Sequence, residues 1–181
     1  MADMGKSKLT KLVTDVDGVL TTGGHYYSID GKCFKNFASH DADAIKILEA
    51  LGIEVVAVTA DKRGLDISKA RARDLGIKLY YVPEKERLSW FLENCDSGTT
   101  AFIGDGLWDV PVLQEALVSF APADATREAK LAADHILSTR GGCGVILDVL
   151  RVIADTYFPE LTFVDSRGML CLRVKNLPAT R

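Results

Sequence analysis

Residues 11–24 read KLVTDVDGVLTTGG, an apolar run that meets two carboxylates, Asp15 and Asp17, where a buried strand ends. Repulsion and desolvation both penalise that arrangement, and a bound cation is the feature that would hold it. Working outward, EVVAVTA (54–60), KLYYV (78–82), TAFIGD (100–105) and VSFAPA (118–123) share this strand character, with DHILS (134–138) a weaker sixth. Most are apolar throughout instead of alternating, the pattern of strands covered on both faces. Helical patterns fall between them at 41–52, 63–75, 85–94, 109–116, 126–133 and 144–154. In the first, Ala44, Ile45, Leu48 and Leu51 share a stripe, and Gly52 stands where a C-terminal cap belongs. Strand alternating with helix predicts a doubly wound α/β fold on a mainly parallel, Rossmann-like sheet.

One segment breaks this rhythm. HYYSIDGKCFKNF (25–37) has strand formers on both sides of Asp30-Gly31, which predicts a β-hairpin turning at those two residues and projecting over the acidic pair. No large cap insertion is visible. A second strand-like pair, LTFV and MLCLRV around DSRG, lies in the tail 155–181, to which no place is assigned. The chain of 181 residues reads as one domain, 1–181, with its core at about 10–154.

Composition narrows the function. With 48% hydrophobic and 26% charged residues the chain is globular, and a net charge of −3 gives no electrostatic case for nucleic acid or an anionic membrane. No apolar stretch reaches the roughly 18 residues of a membrane span, and MADMGKSK lacks the apolar core of a signal peptide. Cys33, Cys95, Cys143 and Cys171 are scattered without a C-x-x-C pair, so they read as thiols in a reducing, cytoplasmic compartment.

In open α/β sheets, ligands bind at the carboxyl ends of the strands. Those ends collect Asp15 and Asp17, then Thr59, then Asp105 and Asp109 of GDGLWD, with Lys85 and Arg87 after the third strand. Carboxylates that leave room for water and a substrate phosphate suit Mg²⁺. An aspartate beside such an ion can attack phosphorus with its free oxygen, while Thr59, a helix N-terminus and a Lys or Arg hold the other phosphoryl oxygens. Blander readings stand beside these. DG favours turns, Asp109 would cap the helix at VPVL, and PEKER is a charged helix start. His25 and His40 read as polar flanks of the hairpin and a helix, and His135 as a structural residue of a buried strand. Arg63, Arg71 and Arg73 read as a solvated helix face. Trp90 and Trp108 read as packing residues, the second near enough to Asp105 to line a substrate entrance.

DVDGVLT (15–21), VTAD (58–61), PEKER (83–87) and GDGLWD (104–109) resemble, in order, the four motifs of the haloacid dehalogenase-like phosphatases. With the hairpin, F-x-x-x-D (37–41) and RGGCGV (140–145), the chain is similar to the small-capped members that act on 3-deoxy-D-manno-octulosonate 8-phosphate or on nine-carbon keto-acid 9-phosphates. The resemblance covers about 10–154. It implies Asp15 as nucleophile and Mg²⁺ ligand, Asp17 as general acid/base and backbone-carbonyl metal ligand, and Asp105 as the remaining metal ligand. It also implies Thr59 as phosphoryl holder, Asp109 as the residue orienting the motif lysine, and a loop with Arg140 that grips a substrate carboxylate. A homotetramer is implied, with hairpin 25–37 closing a neighbour's site. Several positions depart from the pattern. Either Lys85 or Arg87 fills the lysine position, Gly106 stands where a second Asp is usual, and Ala60 replaces a glycine. His40 and Ala42 replace an arginine and a glycine in the substrate region. Two other readings share the fold: a catalytically quiet assembly or regulatory module, and a receiver-like phospho-accepting switch.

Overall fold

Each central strand sends apolar side chains to both faces, which is why the runs do not alternate. Leu12 packs on one side of the sheet and Val13 on the other; Val55 and Ala57 part from Val56 and Val58, and Ala101 and Ile103 from Phe102. The computed structural model describes residues 9–159, 161–164 and 170–173, giving the backbone alone for 162–164 and 170–173. Its elements are β1 (Lys11–Asp15), β2 (Thr21–Ser28), β3 (Gly31–Phe37), α1 (Asp41–Ala50), β4 (Glu54–Thr59), α2 (Leu65–Leu75), β5 (Lys78–Tyr81) and α3 (Arg87–Asn94). They continue with β6 (Thr100–Ile103), α4 (Val110–Glu115), β7 (Val118–Ala121), α5 (Arg127–Ala132), β8 (His135–Ile136), α6 (Val145–Tyr157), β9 (Thr162–Val164) and β10 (Leu170–Arg173).

Six parallel strands form one sheet in the order β5-β4-β1-β6-β7-β8. Helices α1, α2 and α6 bury Ile45, Leu48, Leu75, Ile146, Leu150 and Ile153 against one face. On the other, α3, α4 and α5 bury Phe91, Val112, Leu113 and Ala129. The doubly wound α/β expectation is met. The chain leaves β1 toward β4 and β5 and returns to β6 on β1's other side, so the crevice at the strand ends opens between β1 and β6.

Strand and helix ends differ from the sequence reading by one to three residues. Residues 104–105 and 122–123 are loop, and a short 3₁₀ turn precedes α3 (84–86) and another α4 (107–109). His135 is corrected: β8 is a two-residue edge strand, and the exposed His135 stacks its ring on Phe120 with centroids 5.3 Å apart. The hairpin forms one residue off the expected position. Ser28 pairs with Gly31, so Ile29 and Asp30 make the turn and Gly31 follows it at φ +120°. In the tail, β9 and β10 pair antiparallel with each other, while Arg167 lies outside the described residues. Among the described residues, no helix is long and apolar enough to cross a membrane.

Candidate active site

The register of the central strands assembles the site. Asp15 pairs with Val58, which places Thr59 one step beyond it on β4, and Thr14 pairs with Ile103, which brings Gly104 and Asp105 alongside. After Asp15 the chain makes one wide turn over 16–20 and buries Val19 and Leu20 as it closes. Gly18 sits there at φ +99°, and a Cβ on it would fall 2.0 Å from Asp105 Oδ2. Only a glycine permits both that backbone conformation and that approach. Thr126 donates its N–H (2.8 Å) and its hydroxyl (3.0 Å) to the Asp105 carbonyl, pinning the β6 loop.

Asp109 serves its own loop: one oxygen accepts the N–H groups of Asp105 and Gly106, both at 2.9 Å, and the other pairs with Arg87 Nη1. Its side chain therefore leaves the α4 N-terminus uncapped, contrary to the blander expectation. Arg87 Nη1 also lies 3.1 Å from Asp15 Oδ1. This settles which cation reaches the site. Arg87 is the first residue of α3 and turns inward on the same face as Phe91 one turn later, whereas Lys85 stands exposed on the preceding turn and is absent from the pocket lining. Of the two cations the sequence left open, Asp109 thus pairs with the arginine.

Carboxylate oxygens of Asp15, Asp105 and Asp109 lie within 4.8 Å of one another. Burial, partly offset by Arg87 and reinforced by Asp109, Asp105 and Asp17, pushes the Asp15 carboxyl well above the ordinary range. Burial and then repulsion from Asp109 push Asp105 up to about 7. Burial alone would lower Arg87, but Asp15 and Asp109 reverse that and hold the guanidinium firmly charged. The donor set fits a hard divalent ion: three oxygen-bearing acids converge, and among the described residues Arg87 is the cation that meets them.

A second cluster adjoins the first. Asp17 accepts from Thr59 Oγ1 (3.0 Å), and Lys35 Nζ lies 2.7 Å from its Oδ1 and 2.9 Å from its Oδ2. Lys35 also reaches Asp61 at 2.8 Å, and Lys32 reaches Asp61 at 2.5 Å. Burial alone would raise Asp61, but hydrogen bonds from Lys32 and Lys35 hold it well below the carboxylate range. A pocket of about 550 Å³ opens above both clusters; its lining includes the buried Lys32 side chain and, at its exposed mouth, His25, Tyr27, Lys62, Arg63 and Trp108.

Asp15, Asp17, Arg87, Asp105 and Asp109 are therefore brought together in the pocket lining, as expected, whereas Thr59 is fully buried, lies outside that lining and reaches the site through Asp17, to which its hydroxyl donates. His40 and Arg140 are not. His40 is exposed just before α1 and outside the pocket lining, while Arg140 Nε pairs with Asp124 Oδ2 at 3.2 Å, also outside the lining. Arg63 is not on a solvated helix face: α2 begins at Leu65, and the preceding loop turns Arg63 into the pocket. Arg71 is half-buried, donating to the Ala38 carbonyl at 2.8 Å, and Arg73 is exposed. Lys32, Lys35 and Asp61 were missed. Asp61 carried a usable signal, since it stands two residues past a strand end.

Comparison with known proteins places these residues in a family. Residues 91–149 match the model of the haloacid dehalogenase-like hydrolases. Over 164 residues the chain is 37% identical to the 3-deoxy-D-manno-octulosonate 8-phosphate phosphatase KdsC of Haemophilus influenzae, covering 88% of this chain and 90% of that one. The chain belongs to the KdsC phosphatase family. The Yersinia pestis KdsC is 31% identical over 147 residues, 78% of each chain. The cobalt-bound H. influenzae deoxy-D-mannose-octulosonate 8-phosphate phosphatase (YrbI) superposes with a TM-score of 0.73 at 32% identity, covering 82% of this chain and 89% of that one. A Moraxella catarrhalis KDO 8-phosphate phosphatase, in complex with magnesium ion, phosphate ion and KDO, shares the fold at a TM-score of 0.75 and 24% identity over 83% and 88% of the two chains. A KdsC-type chain is a phosphatase of the haloacid dehalogenase-like hydrolases.

Proposed function

We propose that this protein is a Mg²⁺-dependent phosphomonoesterase that hydrolyses 3-deoxy-D-manno-octulosonate 8-phosphate or a nine-carbon 2-keto-3-deoxy sugar acid 9-phosphate. The observation carrying it is that Asp15 and Asp17 line one pocket, with the Thr59 hydroxyl donating to Asp17. Asp15, Asp105 and the Asp17 carbonyl would hold the ion, which neutralises phosphoryl charge when bound. Asp15 attacks phosphorus, the ester P–O bond breaks, and its electron pair goes to the sugar oxygen, which takes a proton from Asp17. Water then attacks the aspartyl-phosphate while Asp17 accepts its proton, releasing phosphate and restoring Asp15. Thr59 and Arg87 hold the phosphoryl oxygens, the planar guanidinium offering two parallel donors. Arg63 and Lys62 at the mouth suit the substrate carboxylate better than Arg140 does.

The whole chain acts as one domain in the cytoplasm, making a sugar acid for bacterial surface carbohydrate. It assembles as a homotetramer, a reading supported by the exposed Tyr26 and Phe34 on the hairpin's outer face and by Ile29 at its tip. Each hairpin's inner face serves its own pocket, and its tip closes a neighbour's; light scattering on Ile29→Glu tests this, with monomers expected. The activity is tested by phosphate release from a panel of sugar phosphates with and without Mg²⁺. Metal-dependent turnover of an eight- or nine-carbon keto-acid phosphate, lost in Asp15→Asn, is expected. A folded, Mg²⁺-binding wild type that turns over none of them would favour the quiet assembly module.

A further inference from the structure

The charged side chain of Lys35 is 0% exposed, yet it starts from a two-stranded hairpin outside the six-stranded sheet. Its ammonium contacts both oxygens of Asp17 (2.7 and 2.9 Å), Asp61 Oδ2 (2.8 Å) and Ser68 Oγ (2.9 Å). The hairpin is shaped for this reach. Tyr26 pairs with Phe34 but the next residue, Tyr27, pairs with Lys32, so Cys33 is an extra residue bulged out of β3. Three positions apart on a regular strand, Lys32 and Lys35 would point to opposite faces. The bulge turns both inward, beside His25 and Tyr27, and leaves Phe34 outside. The receiving side is shaped too. A Cβ on Gly64 would lie 2.6 Å from Lys35 Cε and 3.0 Å from Lys32 Cδ, so this glycine leaves room for the lysine stems.

We infer that Lys35 is a positioning residue for the leaving-group step: docking of the hairpin through Lys35 aims the Asp17 carboxyl at the ester oxygen. The inference rests on the proposed role of Asp17 as general acid. Asp17 stands in a loop two residues beyond Asp15, and its side chain is about one-fifth exposed. Two neighbours fix its rotation: Thr59 from β4 and Lys35 from β3. Without Lys35, the Thr59 contact alone leaves the carboxyl free to swing about that single hydrogen bond. Misplacing a reacting group by about 1 Å costs on the order of 10²-fold in rate.

Leaving-group dependence separates positioning from a structural role. A sugar alkoxide needs the proton that Asp17 supplies, whereas p-nitrophenolate departs without one. Steady-state kinetics of wild type, Lys35→Met, Lys35→Gln, Ser68→Ala and Asp17→Asn are compared on 3-deoxy-D-manno-octulosonate 8-phosphate and on p-nitrophenyl phosphate. Expected for Lys35→Met is a loss of about 10²-fold in kcat/KM on the sugar phosphate and under about fivefold in kcat/KM on the aryl ester, the same selective profile as Asp17→Asn, because kcat/KM reads the steps up to aspartyl-phosphate formation and leaves out the hydrolysis that Asp17 also assists. Where Lys35→Met does not fold, Lys35→Gln and Ser68→Ala report the same selectivity at smaller amplitude. Equal losses on both esters, or no loss, in the folded Lys35 variants overturn the inference. A non-selective Asp17→Asn removes the general-acid reading beneath it, an outcome recognised because Asp17 itself, and not only Lys35, then lacks the profile.

Discussion

The two halves of the pocket floor carry opposite charge accounts. In the inner half, Asp15, Asp105 and Asp109, delivered by β1 and the loop after β6, meet Arg87. In the outer half, Asp17 and Asp61 meet Lys32 and Lys35, two acids against two ammonium groups. The inner carboxyls Asp15 and Asp105 sit above their ordinary range and Asp61 in the outer half sits below it. The lesson is that one half is left for a metal and a phosphoryl group to complete, while the other is completed by the protein and serves to hold. Arg87 belongs to the first half but cannot balance it, because one guanidinium faces three carboxylates.

The largest expected effect tests the inner half. Asp15→Asn keeps shape and removes the attacking charge, so phosphate release should fall by about 10⁴-fold or more on every ester, aryl phosphate included. Retained turnover of the aryl ester would break the assignment of Asp15 as nucleophile. Next, Arg87→Met should lower kcat by about 10²–10³-fold, and Arg87→Lys by only about tenfold, because a point charge restores attraction without the two parallel donors. Equal losses in both variants, read by the same assay, would mean that Arg87 acts through geometry alone.

Metal removal gives a smaller, thermodynamic effect with a definite sign. The folded carboxyls of Asp15 and Asp105 lie above their ordinary values, the second at about 7. Their favourable contribution in the metal-free protein is thus present below the ordinary carboxylate value near 4 and is lost as pH rises through about 7. Mg²⁺ takes the place of those protons, so its stabilisation should be greater at pH 8 than at pH 5.5, reaching about 3 kcal/mol at a hundredfold excess over Kd. Thermal melts with Mg²⁺ or EDTA at the two pH values check this. An equal rise in Tm at both would break the contrast between the halves.

Asp41 sharpens the comparison as a buried acid with neither metal nor lysine in contact. Its Oδ1 accepts the Ile146 N–H at 2.9 Å near the head of α6, and burial, outweighing that bond, pushes its carboxyl up to about 6. Here too the favourable contribution fades as pH rises through about 6. Asp41→Asn keeps the acceptor and loses the charge, so it should gain up to about 2 kcal/mol on wild type between pH 5 and pH 8 in urea unfolding. A pH-independent difference would show that the backbone N–H alone sets the energy of this carboxyl.

The difference between the halves also marks how far the sequence could be read. Continuous apolar runs identify strands, so the inner Asp15, Asp105 and Asp109, and of the outer half Asp17 and Thr59, were legible from their places at strand ends. Between Lys85 and Arg87 the sequence left the choice open; the start of α3 decided it, because helical rotation turns one inward and the other to solvent. His40 and Arg140 came from resemblance, and neither lines the pocket.

What the sequence determined by itself is the sheet, its two apolar faces and the acids at its rim, since each depends on local period and on a rule about where strands end. What only the tertiary structure decided is the lysine half of the site. Strand parity sends Lys32 and Lys35 to opposite faces, and the bulge at Cys33 that reverses this exists only when β3 is paired with β2. Their partners Asp61 and Ser68 are 29 and 33 residues farther along the chain, brought within reach by β4 and α2. A contact set by cross-strand register and long-range packing has no local period, so nothing in the order of residues announces it.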